Sequence, residues 1–254
     1  MIDIWGECCG KDNITKINDT AWRIVELQEK TSTRKLVDSI EEQKVLEELI
    51  DDSKPPLLRE EAHFHPLLYT PFRYPPLKNG SRFGKKSEPS LWYGSLNTQT
   101  SMAEKAYYQL AFINASAGNF EMVISPMTIF SVKLNIVKGV RLHESPFLKY
   151  QNHISSPSSY QWSQFLGKQM RDHHLDGFLF ASARDRKKGI NVGLFKINSF
   201  ANKQPNATSF QMWQCHTTKN FVEFIRMGSI NDQAYFYARE NFIVDDIFPL
   251  PFIQ

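Results

Sequence analysis

The chain has 254 residues, 41% of them hydrophobic and 22% charged, with a formal net charge of +3. That is enough chain for one large domain, or for one domain with a small appendage, of ordinary soluble composition. The charge is too small for the clustered basic face of a nucleic-acid binder, and no apolar run approaches the ~20 residues that cross a membrane.

The N-terminal residues Met1-Ile2-Asp3-Ile4-Trp5-Gly6-Glu7 lack a basic start followed by an apolar stretch, so no secretory signal is expected there. Cys8, Cys9 and Cys215 are odd in number and make no CxxC spacing. A reducing compartment, by default the cytoplasm, is expected.

Residues 1–60 carry most of the helical signal and read as a helical N-terminal segment packed on a core of residues 61–254. Asp19 is placed to cap a helix through Ala21 to Leu27. A second helix is predicted from about Thr33 to Ile50, where Leu36, Ile40, Leu46, Leu49 and Ile50 make an apolar stripe. It ends before Pro55-Pro56, because proline cannot continue a helix.

Beyond Pro56 the pieces are shorter and more β-like. Phe64 to Phe72 reads as aromatic and extended, Leu91-Trp92-Tyr93 as a strand, and Ser101 to Phe112 as a helix. Phe130 to Val137 alternates at period two, as a half-buried strand does. Asn152 to Ser159 is a loop, Tyr160 to His173 a helix, and Gly177 to Ser182 a buried strand. Further strands are expected at Val192–Ile197, Ser209–Gln214 and Asn220–Ile225. The mixture is an α+β fold, not a βαβ alternation.

Residues 72–108 hold most of the chemistry. Arg73 lies between Phe72 and Tyr74, and Arg82 lies in Gly80-Ser81-Arg82-Phe83-Gly84. Guanidinium groups grip phosphate in a planar fork, and flanking glycines allow close backbone approach. Either arginine also has a plain reading, as a stacked surface residue or as part of a flexible turn. Tyr93 ends an apolar run and is either core packing or a platform for a flat ring. Glu104 is a carboxylate suited to a developing cation, but Ser101-Met102-Ala103-Glu104 also matches a helix capping box.

Ser182 closes the run Phe178-Leu179-Phe180-Ala181-Ser182 without a G-x-S-x-G elbow, which argues against a serine hydrolase. His63-Phe64-His65 and His173-His174 lack metal-site spacing, so no metal is expected. The run Arg184-Asp185-Arg186-Lys187-Lys188 reads as a solvated turn.

In this order the segments resemble the RES-domain family, named for its Arg, Glu and Ser. Thr33 to Ser39 with Glu41-Glu42-Gln43 resembles its lead-in. Phe72-Arg73-Tyr74 and the Gly80–Gly84 segment resemble its arginine blocks. Trp92-Tyr93-Gly94 followed by Ala103-Glu104 resembles its tyrosine and glutamate, and Gly177 to Arg184 its serine block.

The resemblance implies a mixed split β-sheet similar to the ADP-ribosyltransferase fold. It also implies a toxin that degrades NAD+ at the nicotinamide–ribose bond, with phosphate or water as acceptor and no cofactor. Catalysis would rest on Arg73, Arg82, Tyr93, Glu104 and Ser182, and Arg73, Tyr74, Arg82, Tyr93 and Ser182 would hold NAD+. The implied partner is an Xre/MbcA/ParS-type antitoxin, with a homodimer inside a larger assembly and neither nucleic acid nor membrane bound. Two other classes share the residues: a protein mono-ADP-ribosyltransferase and a non-catalytic nucleotide-binding module. The long stretch between the glutamate and serine blocks departs from the family pattern.

Overall fold

The computed structural model describes residues 2–27, 39–52, 56, 61–74, 80–116, 118, 121–228 and 233–251. An eight-stranded mixed sheet with helices on it makes an α+β fold. In chain order the elements are α1 (Ile4–Glu7), β1 (Thr15–Glu26), α2 (Ile40–Asp52), α3 (Pro66–Arg73), β2 (Trp92–Ser95), α4 (Thr98–Ala115) and β3 (Val123–Arg141). There follow α5 (Gln151–Ile154), α6 (Gln161–Asp172), β4 (Gly177–Ala181), β5 (Ile190–Leu194), β6 (Gln211–Thr217), β7 (Phe221–Arg226) and β8 (Ala234–Ala238).

Strand order is β1-β2-β5-β4-β3-β6-β7-β8, and a further pairing joins β1 to β3. The long strand β3 therefore has three neighbours. It runs antiparallel to β1 from Gly139 to Met127 and antiparallel to β6 over Val123–Ile129, and it meets β4 in parallel over Gly139–Arg141. Because β1 also touches β2 at Trp22↔Ser95, five strands return on themselves, and β6, β7 and β8 extend as an open wing.

Two expectations change. The residues read as a helix over Ala21–Leu27 lie in and just after β1, with Ile17 through Glu26 paired to β3. Here Asp19 caps nothing; its carboxylate accepts from the Thr20 N–H at 2.8 Å. The stiff β-branched residues Ile17, Thr20, Ile24 and Val25 suit a strand, and pairing on a long partner outweighs a weak helical pattern.

The segment read as extended over Phe64–Phe72 contains all of α3 but its last residue. Pro66 stands at its first turn, where the missing N–H costs nothing, and the His65 imidazole accepts from the Leu67 N–H at 3.2 Å. The second predicted helix is present as α2, while its start at residues 33–38 lies outside the described residues.

The core falls in three clusters. One, around Phe83, Phe178, Phe180 and Met170, packs α1 and α6 on the sheet. Another, around Trp92, Phe130 and Leu134, underlies α3. The third, around Met102, Tyr107, Trp213 and Phe224, packs α4 against β1 and the open wing. Among the described residues no helix is long and apolar enough to cross a membrane.

Candidate active site

Between β1, β2, β5, the N-terminal half of α4 and the Gly80–Gly84 turn lies a cavity of about 440 Å³. That is within the range of small-molecule sites. Its lining includes Arg23, Arg82, Tyr93, Ser95, Glu104, Lys105, Tyr108, Tyr160 and Asn191.

Glu104 is the centre of the arrangement. Helix α4 starts at Thr98, and its N-cap is Asn97, whose side-chain oxygen accepts from the Thr100 N–H at 2.8 Å. Glu104 therefore lies beyond the first turn, and the capping-box reading of Ser101–Glu104 falls away. The Ser101 hydroxyl instead accepts from the Ile24 N–H at 3.2 Å, tying α4 to β1. On Glu104 one oxygen, Oε1, accepts from the Ser182 hydroxyl and from the Asn191 side-chain amide, both at 2.6 Å.

Ser182 is fully buried just past the end of β4. Its oxygen accepts from the backbone N–H groups of Arg184 at 3.0 Å and Asp185 at 2.9 Å. With both lone pairs engaged and its proton given to Glu104, this hydroxyl is an anchor and not a nucleophile.

Arg82 is buried at 7% exposure, its Nη1 donating to the Ser156 carbonyl at 2.7 Å and its guanidinium 4.8 Å from the centre of the Tyr160 ring. Ser156 lies in the Ser/Pro loop that precedes α6, so that loop helps to hold Arg82 at the cavity.

Tyr93 lines the same wall, but its hydroxyl serves the turn beneath. It accepts from the Phe83 N–H at 3.2 Å and is 3.0 Å from the Ser81 hydroxyl. Burial pushes its pKa up to about 12, so it stays neutral at any ordinary pH. Its ring sits edge-on to Phe180.

The turn also needs Gly80, whose φ is +74° and where a Cβ would fall 2.2 Å from the Gly84 carbonyl oxygen.

Of the residues singled out in the sequence, Arg82, Tyr93, Glu104 and Ser182 come together. Arg73 and Tyr74 do not line the cavity: Arg73 ends α3 and Tyr74 is its exposed C-cap.

Two residues were missed. Arg23, on β1, has its guanidinium 5.3 Å from the centre of the Trp92 ring, and its buried Nη1 has no hydrogen-bond partner among the described residues. Burial lowers its pKa to about 10, so it remains charged at neutral pH. The signal was a charge inside the apolar run Trp22-Arg23-Ile24-Val25, hidden by reading that run as a helix. Asn191 is the other, a buried amide between Ile190 and Val192. At the rim Lys105 pairs with Glu26 at 3.0 Å. Among the described residues no group of three or more His, Cys, Asp or Glu could hold a metal ion.

A cavity lined by a buried and a half-buried arginine around one doubly anchored carboxylate is set in a chain whose residues 56–213 match the family model described as the RES domain. The chain belongs to the RES-domain family. Arg82, Glu104 and Ser182 lie inside the matched region, and Arg23 enters the cavity from outside it. No curated protein matches the sequence. Among solved structures, a chain of the M. tuberculosis MbcT–MbcA toxin–antitoxin complex superposes with a TM-score of 0.47 at 10% identity, over 86% of this chain and 94% of that one.

Proposed function

We propose that this RES-domain protein is a toxin that degrades NAD+ by breaking the nicotinamide–ribose bond. The observation that carries the reading is the Glu104 carboxylate, held by Ser182 and Asn191 in a cavity that also receives Arg23 and Arg82. Breaking the bond sends its electron pair to the pyridinium nitrogen, so nicotinamide leaves neutral and needs no general acid. The ribose carbon becomes cation-like, and a preorganised carboxylate stabilises it, as carboxylates do in glycoside cleavage. Phosphate or water then adds to that carbon, giving ADP-ribose 1-phosphate, or ADP-ribose with release of a proton.

The two guanidinium groups suit the pyrophosphate of NAD+ or an incoming phosphate. The partly unpartnered Arg23 has the greater capacity to accept such a ligand, since Arg82 already spends one N–H on Ser156. Ser182 orients the carboxylate, and NAD+ is substrate here, not cofactor.

An antitoxin of the Xre/MbcA/ParS type that covers the cavity would silence the enzyme. The resemblance to the family supports that partner.

The test is to follow NAD+ with the purified protein, with and without inorganic phosphate, and to identify products by mass. ADP-ribose 1-phosphate or free ADP-ribose with nicotinamide is expected. Label transferred from NAD+ to protein would replace this reading with protein ADP-ribosylation, and intact NAD+ would overturn both.

A further inference from the structure

The carboxylate of Glu104 is unevenly used. Oε1 takes both donors, Ser182 Oγ and Asn191 Nδ2, while Oε2 receives no hydrogen bond among the described residues. A carboxylate only accepts, so the Asn191 amide must present its N–H₂ end to Glu104 and its oxygen the other way. That oxygen, Oδ1, meets the Ser95 hydroxyl at 2.7 Å, and Ser95 must therefore be the donor. The register of the sheet builds this contact, because Ser95 on β2 stands directly opposite Asn191 on β5. Both residues are buried, at 2% and 4% exposure, and a one-residue slip of either strand would turn its own side chain to the opposite face and break the contact.

We propose that Asn191, oriented by Ser95, is a positioning residue of this site: by occupying Oε1 together with Ser182 it leaves Oε2 as the carboxylate oxygen that meets the substrate. The chain of bonds has one direction. Ser95 fixes which end of the amide faces Glu104, the amide and Ser182 fix the carboxylate plane, and the uncommitted oxygen takes the remaining direction, toward the cavity that Glu104 lines. The substrate part of this inference rests on the NAD+ reading above.

The experiment compares wild type with Asn191→Ala, Asn191→Asp, Ser95→Ala and the double variant Ser95→Ala/Asn191→Ala. Misplacing a reacting group by about 1 Å costs up to about 100-fold in rate. Asn191→Ala should therefore lower kcat for NAD+ by about 10- to 100-fold while KM stays within about threefold, and Ser95→Ala should lose less. Asn191→Asp keeps the shape but sets a second carboxylate where a donor stood, and should lose at least as much as Asn191→Ala. The double variant should be no slower than Asn191→Ala, since residues acting as one unit do not add. Unchanged kcat in Asn191→Ala, or losses that multiply in the double variant, would overturn the inference.

Crystal structures of wild type and Asn191→Ala give a readout without substrate. A carboxylate that keeps its orientation when Asn191 is removed overturns the positioning role whatever the enzyme does. A carboxylate that turns, in a protein that leaves NAD+ intact, overturns the NAD+ reading and keeps the positioning role. Thermal melting of each variant separates these outcomes from loss of fold.

Discussion

Glu104 and Arg23 put opposite demands on this protein. The carboxylate has donors waiting for it, and replacing it by an amide keeps the shape while removing the charge and opposing an N–H₂ group or a neutral oxygen to the Asn191 and Ser182 donors. Glu104→Gln should lower NAD+ turnover by about 100-fold or more, the scale of losing a preorganised electrostatic contact. A near-wild-type rate of nicotinamide release would remove the carboxylate from the chemistry.

The guanidinium of Arg23 is the reverse case, with a buried Nη1 that has no hydrogen-bond partner among the described residues. Such a group is a cost to the fold of about 1–3 kcal/mol, offset in part by its position over Trp92. Arg23→Met, of similar length and apolar, should raise the melting temperature, equivalent to about 1 kcal/mol, and should raise KM for NAD+. Lower stability together with unchanged KM would show that Arg23 serves the fold and not a ligand. Sites commonly trade stability for function in this way.

At the scale of elements, the Gly80–Gly84 turn is held from beneath by one phenol. Tyr93→Phe leaves the Phe83 N–H without its acceptor and should cost about 1–3 kcal/mol in a urea titration. The same side chain carries a pH signature. The folded state holds the Tyr93 proton up to about 12, against an unfolded value of 10.0, so the folded form binds more protons between those values. Its contribution is complete below pH 10 and is lost as pH rises toward 12. Wild type should therefore lose more stability than Tyr93→Phe between pH 10 and 12, measured as the difference in unfolding midpoint.

Sequence reading worked best where element and chemistry agreed. The helix containing Glu104, the strand ending at Tyr93 and the buried run before Ser182 all appear near their expected bounds. It failed where tertiary partners decide. β1 takes its identity from β3, more than a hundred residues away, and α3 is a helix begun by Pro66 inside an aromatic run. The first of these errors explains one of the site's gaps. A helical β1 concealed Arg23, and Arg73, singled out by its residue type and by the resemblance, stands at the end of α3 and does not line the cavity. Asn191 was not legible because its role exists only through the register of β2 on β5.

For the molecule as a whole, the last described residues close the core that carries α4. The Tyr107 hydroxyl donates to the Pro249 carbonyl at 2.5 Å, its ring stacks on Phe248, and Phe242 and Phe248 belong to the same cluster. Arg184, two residues past the serine that anchors Glu104, lies over the opposite partner of that stack, 3.5 Å from the Tyr107 ring centre. The tail, silent in the sequence, is therefore coupled to the site through one tyrosine. Removing two buried phenylalanines costs about 3–5 kcal/mol each in other cores. A chain ended after Asn241 should lose at least about 4 kcal/mol of stability in urea unfolding and its NAD+ turnover with it. A truncated protein with the wild-type midpoint would show that the tail is not part of the core.

The long strand β3 also orders events in time. A ribosome delivers the chain from its N-terminus at about 5–20 residues per second. Arg23 emerges early, yet its strand has only the single pairing at Ser95 to meet until Phe130 and its neighbours follow. Glu104 emerges next and waits for both of its donors, Ser182 and then Asn191. A growing chain thus carries the parts of the cavity for most of its synthesis without the cavity itself. On the function proposed above, the chain would become active only near completion, and that delay would be an interval in which a neutralising partner made at the same time is ready for it.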